Sequence, residues 1–265
     1  MIGVTTTLDL KGTTALVTGA SSGIGEAIAE ELARRGSDLV LVARSLERLS
    51  TVAATVLARF EVAVDVVAAD LTDETERARV IAACADRHID VLVNSAGVGL
   101  EGDFVDLGTE RQVAMVELNC AALTALCSAF VPAMLERRVG GVINVASLAA
   151  FQPIPKMAAY AATKAFVLSF SYSLGSEIRP RGVHVLALCP GPVATRFSGG
   201  FSDEHVATRF FSRAPSADVV ARKAVARLVA GRRSSLSGPG AYGAVIASKV
   251  LPRAAVTGLV GRLFR

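Results

Sequence analysis

Between Thr14 and Arg35 the chain runs TALVTGASSGIGEAIAEELARR. Ala15, Leu16 and Val17 form an apolar run short enough for a buried strand. Gly19, Gly23 and Gly25 crowd the turn that follows. Ile28, Ala29 and Leu32 then recur at helical spacing, Arg34 and Arg35 sit where the dipole of a last turn favours cations, and Gly36 supplies the stop. A strand, a glycine-rich turn and a helix start together make a seat for a phosphate. Unpaired backbone N–H groups and the positive helix end face the anion, and glycine lets its oxygens come close. The spacing is G-x-x-x-G-x-G, not the G-x-G-x-x-G of the dinucleotide fingerprint. No Gly-Lys-Ser/Thr follows, so it is not a P-loop either. On its own the turn leaves open the alternative of a tight bend that holds no ligand.

The same alternation of apolar runs and helical stripes continues. Residues 38–43 read as a second buried strand, and Ser45 caps a helix reaching to Arg59. Residues 62–69 read as a third strand ending at Asp70, and Thr72-Asp73-Glu74 open a helix with acids in its first turn. Residues 90–93 are a fourth strand, stopped by Asn94-Ser95-Ala96-Gly97. A long helix is expected over 110–138, a fifth strand over 141–145, a loop containing Pro153 and Pro155, a helix over 157–178 and a sixth strand over 184–188. The strands are almost continuously apolar, the mark of a parallel sheet covered on both faces. The expected fold class is therefore α/β, a single-domain, Rossmann-type doubly wound sheet spanning residues 1–265. No linker, repeat or low-complexity segment interrupts it.

Hydrophobic residues are 52% of the 265, enough for a sizeable core. The absence of Trp and the presence of only three Tyr argue against a nucleic-acid platform. Cys84, Cys120, Cys127 and Cys189 form no C-x-x-C pair and lie in apolar contexts, so buried thiols are expected and no metal site. His88, His184 and His205 are too scattered for a zinc site or a Ser-His-Asp triad. The N-terminus carries no charged-then-apolar leader, and the chain reads as cytoplasmic or membrane-peripheral. Charge is uneven. From Arg209 onward eleven Lys or Arg face one acid, Asp218. That fits either a solvated basic face or an anionic partner such as a membrane surface.

Polar groups collect just past the strand ends. An acid at the end of the second strand would take the ribose 2′-hydroxyl of NAD. Here Ala43 and Arg44 stand there, and a guanidinium suits a 2′-phosphate. Arg44 therefore favours NADP, with NAD as the alternative, unless it merely ends a strand in solvent. Asn119 lies in an apolar stretch of the long helix, where it must either satisfy a local carbonyl or belong to a polar site. Tyr160 and Lys164 are one helical turn apart on one face. A nearby ammonium favours phenolate and would lower the Tyr160 pKa, so that the residue exchanges a proton with an alkoxide while Ser147 holds the same oxygen.

Together these residues resemble the classical short-chain dehydrogenase/reductase family over residues 10–195. Thr18, Gly19, Gly23 and Gly25 match its T-G-x-x-x-G-x-G; Asp70 matches the acid after the third strand; Asn94-Ser95-Ala96-Gly97 stands for its N-N-A-G. Asn119, Ser147 and the Y-x-x-x-K pair Tyr160 and Lys164 match its catalytic residues, and Pro190-Gly191 with Thr195 its later cofactor motif. The resemblance implies that Tyr160 is the acid/base, that Lys164 lowers its pKa and binds the nicotinamide ribose, that Ser147 polarises the carbonyl and that Asn119 holds a water leading from Lys164 to solvent. It also implies cofactor contacts from Gly19, Ser21, Ser22, Gly23, Ile24, Arg44, Asp70, Leu71, Asn94, Ala96, Gly97, Tyr160, Lys164, Pro190, Gly191, Val193 and Thr195. Ser22 replaces the basic residue often found before the middle glycine of NADP-preferring members, and Ser95 replaces the second Asn.

Past Thr195 the resemblance thins. Residues 196–215 form the expected substrate loop, and Phe197, Phe201, Phe210 and Phe211 would line an apolar lid opposite Leu100, Phe151 and Ile154, or would be ordinary core. The expected substrate is a hydrophobic ketone or alcohol: 3-oxoacyl, steroid-like, retinoid-like or terpenoid-like. Residues 234–239 are a candidate last strand, and 241–265 a helical extension split at Pro252. In its second half Val256, Leu259, Val260, Leu263 and Phe264 make an apolar stripe. That stripe fits a helix docked on the body or on a second subunit, an anchor on anionic lipid, or a gate over the substrate pocket. A homodimer or homotetramer follows from the resemblance. The rival functions are a non-catalytic nucleotide-binding regulator and a sugar-nucleotide epimerase or dehydratase of the related extended family.

Overall fold

The computed structural model describes residues 8–193, 214–238 and 241–261. Among these residues seven parallel strands form one sheet in the order β3-β2-β1-β4-β5-β6-β7. The strands are β1 (Thr14–Thr18), β2 (Asp38–Ala43), β3 (Val64–Ala68), β4 (Val91–Asn94), β5 (Gly140–Val145), β6 (Val183–Pro190) and β7 (Ser234–Ser237). In register Leu16 lies between Val40 and Leu92. Side chains alternate across the central strands. Ala15, Val17, Val91 and Val93 enter one apolar layer; Leu16, Leu92 and Val142 enter the other. Burial on both faces is why these strands are apolar without a polar beat.

Helices α1 (Gly23–Arg34), α2 (Leu46–Leu57) and a helix over Ala217–Val229 cover the first layer. Helices α3 (Glu74–Ala82), α5 (Leu123–Arg137) and α6 (Ala158–Ile178) cover the second, with α4 (Thr109–Val116) leading into α5. The helix over Ala217–Val229, α7, is absent from the sequence reading. Val220, Ala221, Ala224, Val225 and Leu228 make its buried stripe, with Arg222, Lys223 and Arg227 interleaved. Part of the basic C-terminal charge is thereby put to structural use: Lys223 donates to the Leu236 carbonyl at 2.7 Å and Arg227 to that of Ser234 at 3.4 Å.

Two other expectations need correction. The third strand is shorter than residues 62–69 because β3 is an edge strand whose only partner, β2, begins at Asp38; the Asp38 carboxylate takes the Ala63 N–H at 2.8 Å instead. The long helix forms as expected, over Thr109–Arg137, but it is not α-helical throughout. Between α4 and α5 a π-helical turn, Glu117–Ala122, carries Asn119. The whole stretch Thr109–Arg137 is long and apolar enough to cross a membrane by length and composition, yet Leu126, Phe130 and Met134 lie in the second apolar layer. The C-terminal pieces form as expected, α8 (Ala241–Val250) and α9 (Arg253–Gly261). Strand order reverses between β1 and β4, and the crevice beyond their carboxyl ends is where ligands bind in open parallel sheets.

Candidate active site

The floor of the crevice is the glycine turn. Gly19 and Gly23 have φ of 65° and 63°, a left-handed conformation that favours glycine. A Cβ on Gly19 would lie 2.8 Å from the Ala96 nitrogen, and one on Gly25 2.3 Å from the Gly19 carbonyl oxygen. The turn is therefore pressed against both the helix start and the end of β4. Ser22 is extended and makes no side-chain cap, so its hydroxyl does not occupy the N–H groups at the start of α1. Ser21 is half-buried beside it, and Ile24 anchors the helix start in the first apolar layer. This cradle fits a pyrophosphate.

Thr18 ties that floor to the neighbouring strand. Its hydroxyl donates to the Val93 carbonyl at 3.1 Å and accepts the N–H groups of Ser95 and Ala96 at 3.0 and 3.1 Å. The sequence motif contained Thr18 but not this role. Asn94 turns its side chain away from the crevice, donating to Asn144 at 2.9 Å, and Asn144 donates to Ser171 at 3.0 Å. Asn94 thus offers the crevice only its backbone.

At the end of β2 Arg44 is exposed, and its charge helps to hold Asp70 below the usual carboxylate range. The larger cause is the Thr72 N–H, which Asp70 accepts at 2.9 Å, together with the Thr72 hydroxyl at 2.8 Å. Leu71 is buried beneath them. On the far side, Pro190 ends β6, the Gly191 N–H donates to the Ser237 carbonyl at 2.7 Å, and Val193 is buried. Thr195, the four loop phenylalanines, Leu263 and Phe264 lie outside the described residues.

Asn119, from the π-helical turn, Ser147, after β5, and Tyr160 with Lys164, both on α6, come from three separate segments and meet at the same edge. Asn119 is 2% exposed. Its Oδ1 accepts the Val98 N–H at 3.0 Å, and its Nδ2 donates to the Val98 carbonyl at 2.9 Å and to the Thr163 hydroxyl at 3.0 Å. A Cβ on Gly97 would sit 3.0 Å from Asn119 Oδ1 and 3.4 Å from Lys164 Nζ, so the glycine backbone lies between those two polar groups. Lys164 is buried and donates to the Val145 carbonyl at 2.9 Å. Its Nζ stands 5.8 Å from the centre of the Tyr160 ring. Ser147 starts a short 3-10 turn (Leu148–Phe151), accepts the Ala149 N–H at 3.1 Å and hydrogen-bonds to Tyr160.

The expected lowering of the Tyr160 pKa is not what the protein alone produces. Burial pushes the phenol up to about 12 against the opposing pull of the Ser147 hydrogen bond. Burial pushes Lys164 the other way, to about 8. With both groups enclosed, desolvation is the larger cause for each. The phenol is therefore fully protonated at neutral pH, and Lys164 is largely an ammonium. Among the described residues no three His, Cys, Asp or Glu side chains gather closely enough to hold a metal ion. Cys127 and Cys189 are buried, their thiols pushed up to about 12.

A sequence profile of the family described as short chain dehydrogenase matches residues 13–205. An uncharacterized oxidoreductase of Staphylococcus epidermidis is 37% identical over 193 residues, which are 72% of this chain and 82% of that protein. A very-long-chain 3-oxoacyl-CoA reductase of Bos taurus is 35% identical over 192 residues, 71% of this chain and 61% of its own length. Among solved structures, a short-chain dehydrogenase from Sphingobium yanoikuyae in complex with NADPH is 33% identical with a TM-score of 0.78, covering 89% of this chain and 93% of that one.

Proposed function

This chain belongs to the short-chain dehydrogenase family, and on that footing we propose that it is an NADP(H)-dependent oxidoreductase interconverting an apolar ketone and a secondary alcohol. The observation that carries the reading is the meeting of Asn119, Ser147, Tyr160 and Lys164 beside a glycine cradle open to an anion. The cofactor supplies the hydride that reaches the carbonyl carbon. Tyr160 gives its proton to the carbonyl oxygen as charge develops there, and takes it back when an alcohol is oxidised. An alkoxide is a far stronger base than a phenolate, so a phenol with a raised pKa still delivers its proton downhill. Ser147 donates to the same oxygen and fixes the carbonyl against Tyr160. Lys164 keeps one N–H on Val145 and turns the others toward the cofactor ribose. Asn119 has both amide hydrogens committed, so its part in a water link to Lys164 runs through the second lone pair of Oδ1.

Arg44 and the NADPH bound in the Sphingobium relative support NADP over NAD. Ser21, Ser22 and the start of α1 would hold the pyrophosphate and Asp70 and Leu71 would border the adenine; the family resemblance assigns Thr195 to the nicotinamide carboxamide. An apolar substrate of the 3-oxoacyl or steroid-like class is supported by the hydrophobic cluster around Tyr160 and by the name of the bovine relative. We read residues 1–265 as one domain, with 196–215 as its substrate loop.

A homodimer or homotetramer through α4 and α6 is supported by the exposed Val113, Val116, Phe166 and Tyr172 and by a groove of about 540 Å³ between Phe104, Val113 and Ala159. A cytoplasmic protein touching membranes peripherally is supported by the exposed row Tyr242, Ile246 and Val250 on α8 in a basic C-terminal segment.

The test is titration with NADPH and NADH by bound-nicotinamide fluorescence, then NADPH consumption with a panel of apolar ketones. Binding with turnover supports the proposal. Binding without turnover across the panel favours the non-catalytic rival, and turnover only of a sugar nucleotide favours the epimerase or dehydratase rival.

A further inference from the structure

Apart from the two layers flanking the sheet, a third apolar cluster gathers around the candidate active site. It holds Met115, Ala149, Ile154, Met157, Tyr160 and Ala161, and α9 completes it with Val256 and Val260. These two valines lie one helical turn apart, on one face, and both are buried. Leu259, at the edge of the same stripe, is exposed. The helix is fixed at both ends. Pro252 breaks it from α8, and at its far end a Cβ on Gly261 would come 3.2 Å from Pro155 Cγ, in the loop that follows Ser147. Half-buried Val98 and Leu100, just past β4, pack against the same cluster. The chain's own helix α9 therefore packs on the apolar cluster that contains Tyr160. Its two inward valines are spent on that cluster and are not available to lipid.

We propose that α9 is the roof of the substrate pocket and that Val256 and Val260 set how bulky an apolar group is accepted beside Tyr160. This rests on the oxidoreductase reading for its substrate and on the cluster alone for its geometry. A small cavity of about 20 Å³ touches Tyr160 between Leu100, Met115 and Met157, residues of the same cluster, so the cluster is not filled completely around the phenol. The apolar part of the substrate packs against Val256 and Val260 beside Tyr160. The occupant this selects is a ketone with an alkyl chain or ring long enough to replace the valine contacts.

Two readouts test the proposal. Shortening one roof residue, as Val256→Ala or Val260→Ala, raises kcat/KM for a bulky bicyclic ketone relative to 2-butanone by about tenfold, the scale at which pocket methyl groups discriminate. Leu259→Ser, at the exposed edge, leaves that ratio where it was. The second readout needs no turnover. In full-length protein treated with dilute hydrogen peroxide, the double variant Val256→Ser, Val260→Ser speeds sulfoxide formation at Met115 and Met157 several-fold, while Met134, in the main core, stays protected. A ketone ratio that does not move, or Met115 and Met157 oxidising at the wild-type rate, overturns the roof. If Met134 is exposed as well, the double variant has unfolded, and the same peroxide comparison on the single Ala variants decides. A protein that consumes NADPH with no ketone but shows the methionine pattern keeps its roof and loses the oxidoreductase reading.

Discussion

Asn119 grips Val98 by both of its backbone groups, accepting the N–H at 3.0 Å and donating to the carbonyl at 2.9 Å. The grip is built by the π-helical turn Glu117–Ala122. An extra residue in the turn shifts the helix phase and aims the amide at the strand end and not along the helix. The second amide hydrogen goes to Thr163, one residue from Lys164, so a single side chain joins β4, α5 and α6 at the site. Asn119→Leu keeps the volume but strands the Val98 N–H and carbonyl in a buried place. We expect a loss of about 2–6 kcal/mol, at roughly 1–3 kcal/mol for each of the two orphaned groups. Thermal unfolding reads this as a fall of about 4–24 °C, and a change under 2 °C counts against the grip, taking about 2–4 °C per kcal/mol.

Gly25 has no room for a side chain, since the atom nearest its added Cβ is the Gly19 carbonyl oxygen at 2.3 Å. That neighbour is backbone and can move only by opening the phosphate cradle. Gly25→Ala is expected to abolish measurable NADPH binding in a fluorescence titration. Gly243, in α8, has nothing within 4 Å of an added Cβ. Gly243→Ala is expected to stabilise the protein by about 0.5–1 kcal/mol, visible in denaturant unfolding.

Lys164 gives two opposite pH slopes. Its pKa in the cofactor-free protein is lowered from 10.5 to about 8 by burial. The ammonium is the form that binds the ribose, so NADPH affinity stays flat below pH 8 and falls about tenfold per pH unit above it. Between pH 8 and 10.5 the unfolded chain holds a proton that the native chain has released, so Lys164 makes the cofactor-free protein more stable as pH rises through that window. Affinity measured at pH 7, 8 and 9 checks the first slope. A flat profile means that the ammonium does not hold the cofactor.

Arg44 stands at the end of β2, with Asp70 feeling its charge. Arg44→Ala is expected to weaken NADPH about tenfold while leaving NADH within a factor of about two, since an exposed charge-assisted pair is worth about 1–2 kcal/mol. Ser22→Arg, restoring a basic group at the other edge of the 2′-phosphate, is expected to tighten NADPH. Parallel titrations with both nucleotides measure the ratio, and an unmoved ratio removes Arg44 from the phosphate.

The centre of the sheet was legible because β1, β2, β4, β5 and β6 are buried on both faces and so read as largely apolar runs, as in Leu39-Val40-Leu41-Val42. The site residues were legible because Ser147, Tyr160 and Lys164 keep the spacing of a known family. The π-turn at Asn119 was not, since Leu118, Cys120 and Ala121 continue a helical pattern and one extra residue per turn leaves no compositional trace. Helix α7 was hidden by its own cations: the Val220, Ala224, Leu228 stripe is regular, but Arg222, Lys223 and Arg227 made the segment look like a charged surface. The direction of the Tyr160 pKa was missed because helical spacing shows that an ammonium is near, and not how dry the pair is. The apolar stripe of α9 was visible, but only the folded chain turns Val256 and Val260 toward Tyr160's cluster.

The most direct test of the account is hydride transfer in Tyr160→Phe. Wild type and variant are each saturated with NADPH, mixed with the apolar ketone that turns over best, and followed by loss of nicotinamide absorbance in a single turnover. The account predicts NADPH affinity within about threefold of wild type, because the buried ring remains, and a rate at least about 10²-fold slower, because the proton donor is gone. A variant that reduces the ketone at the wild-type rate would contradict it.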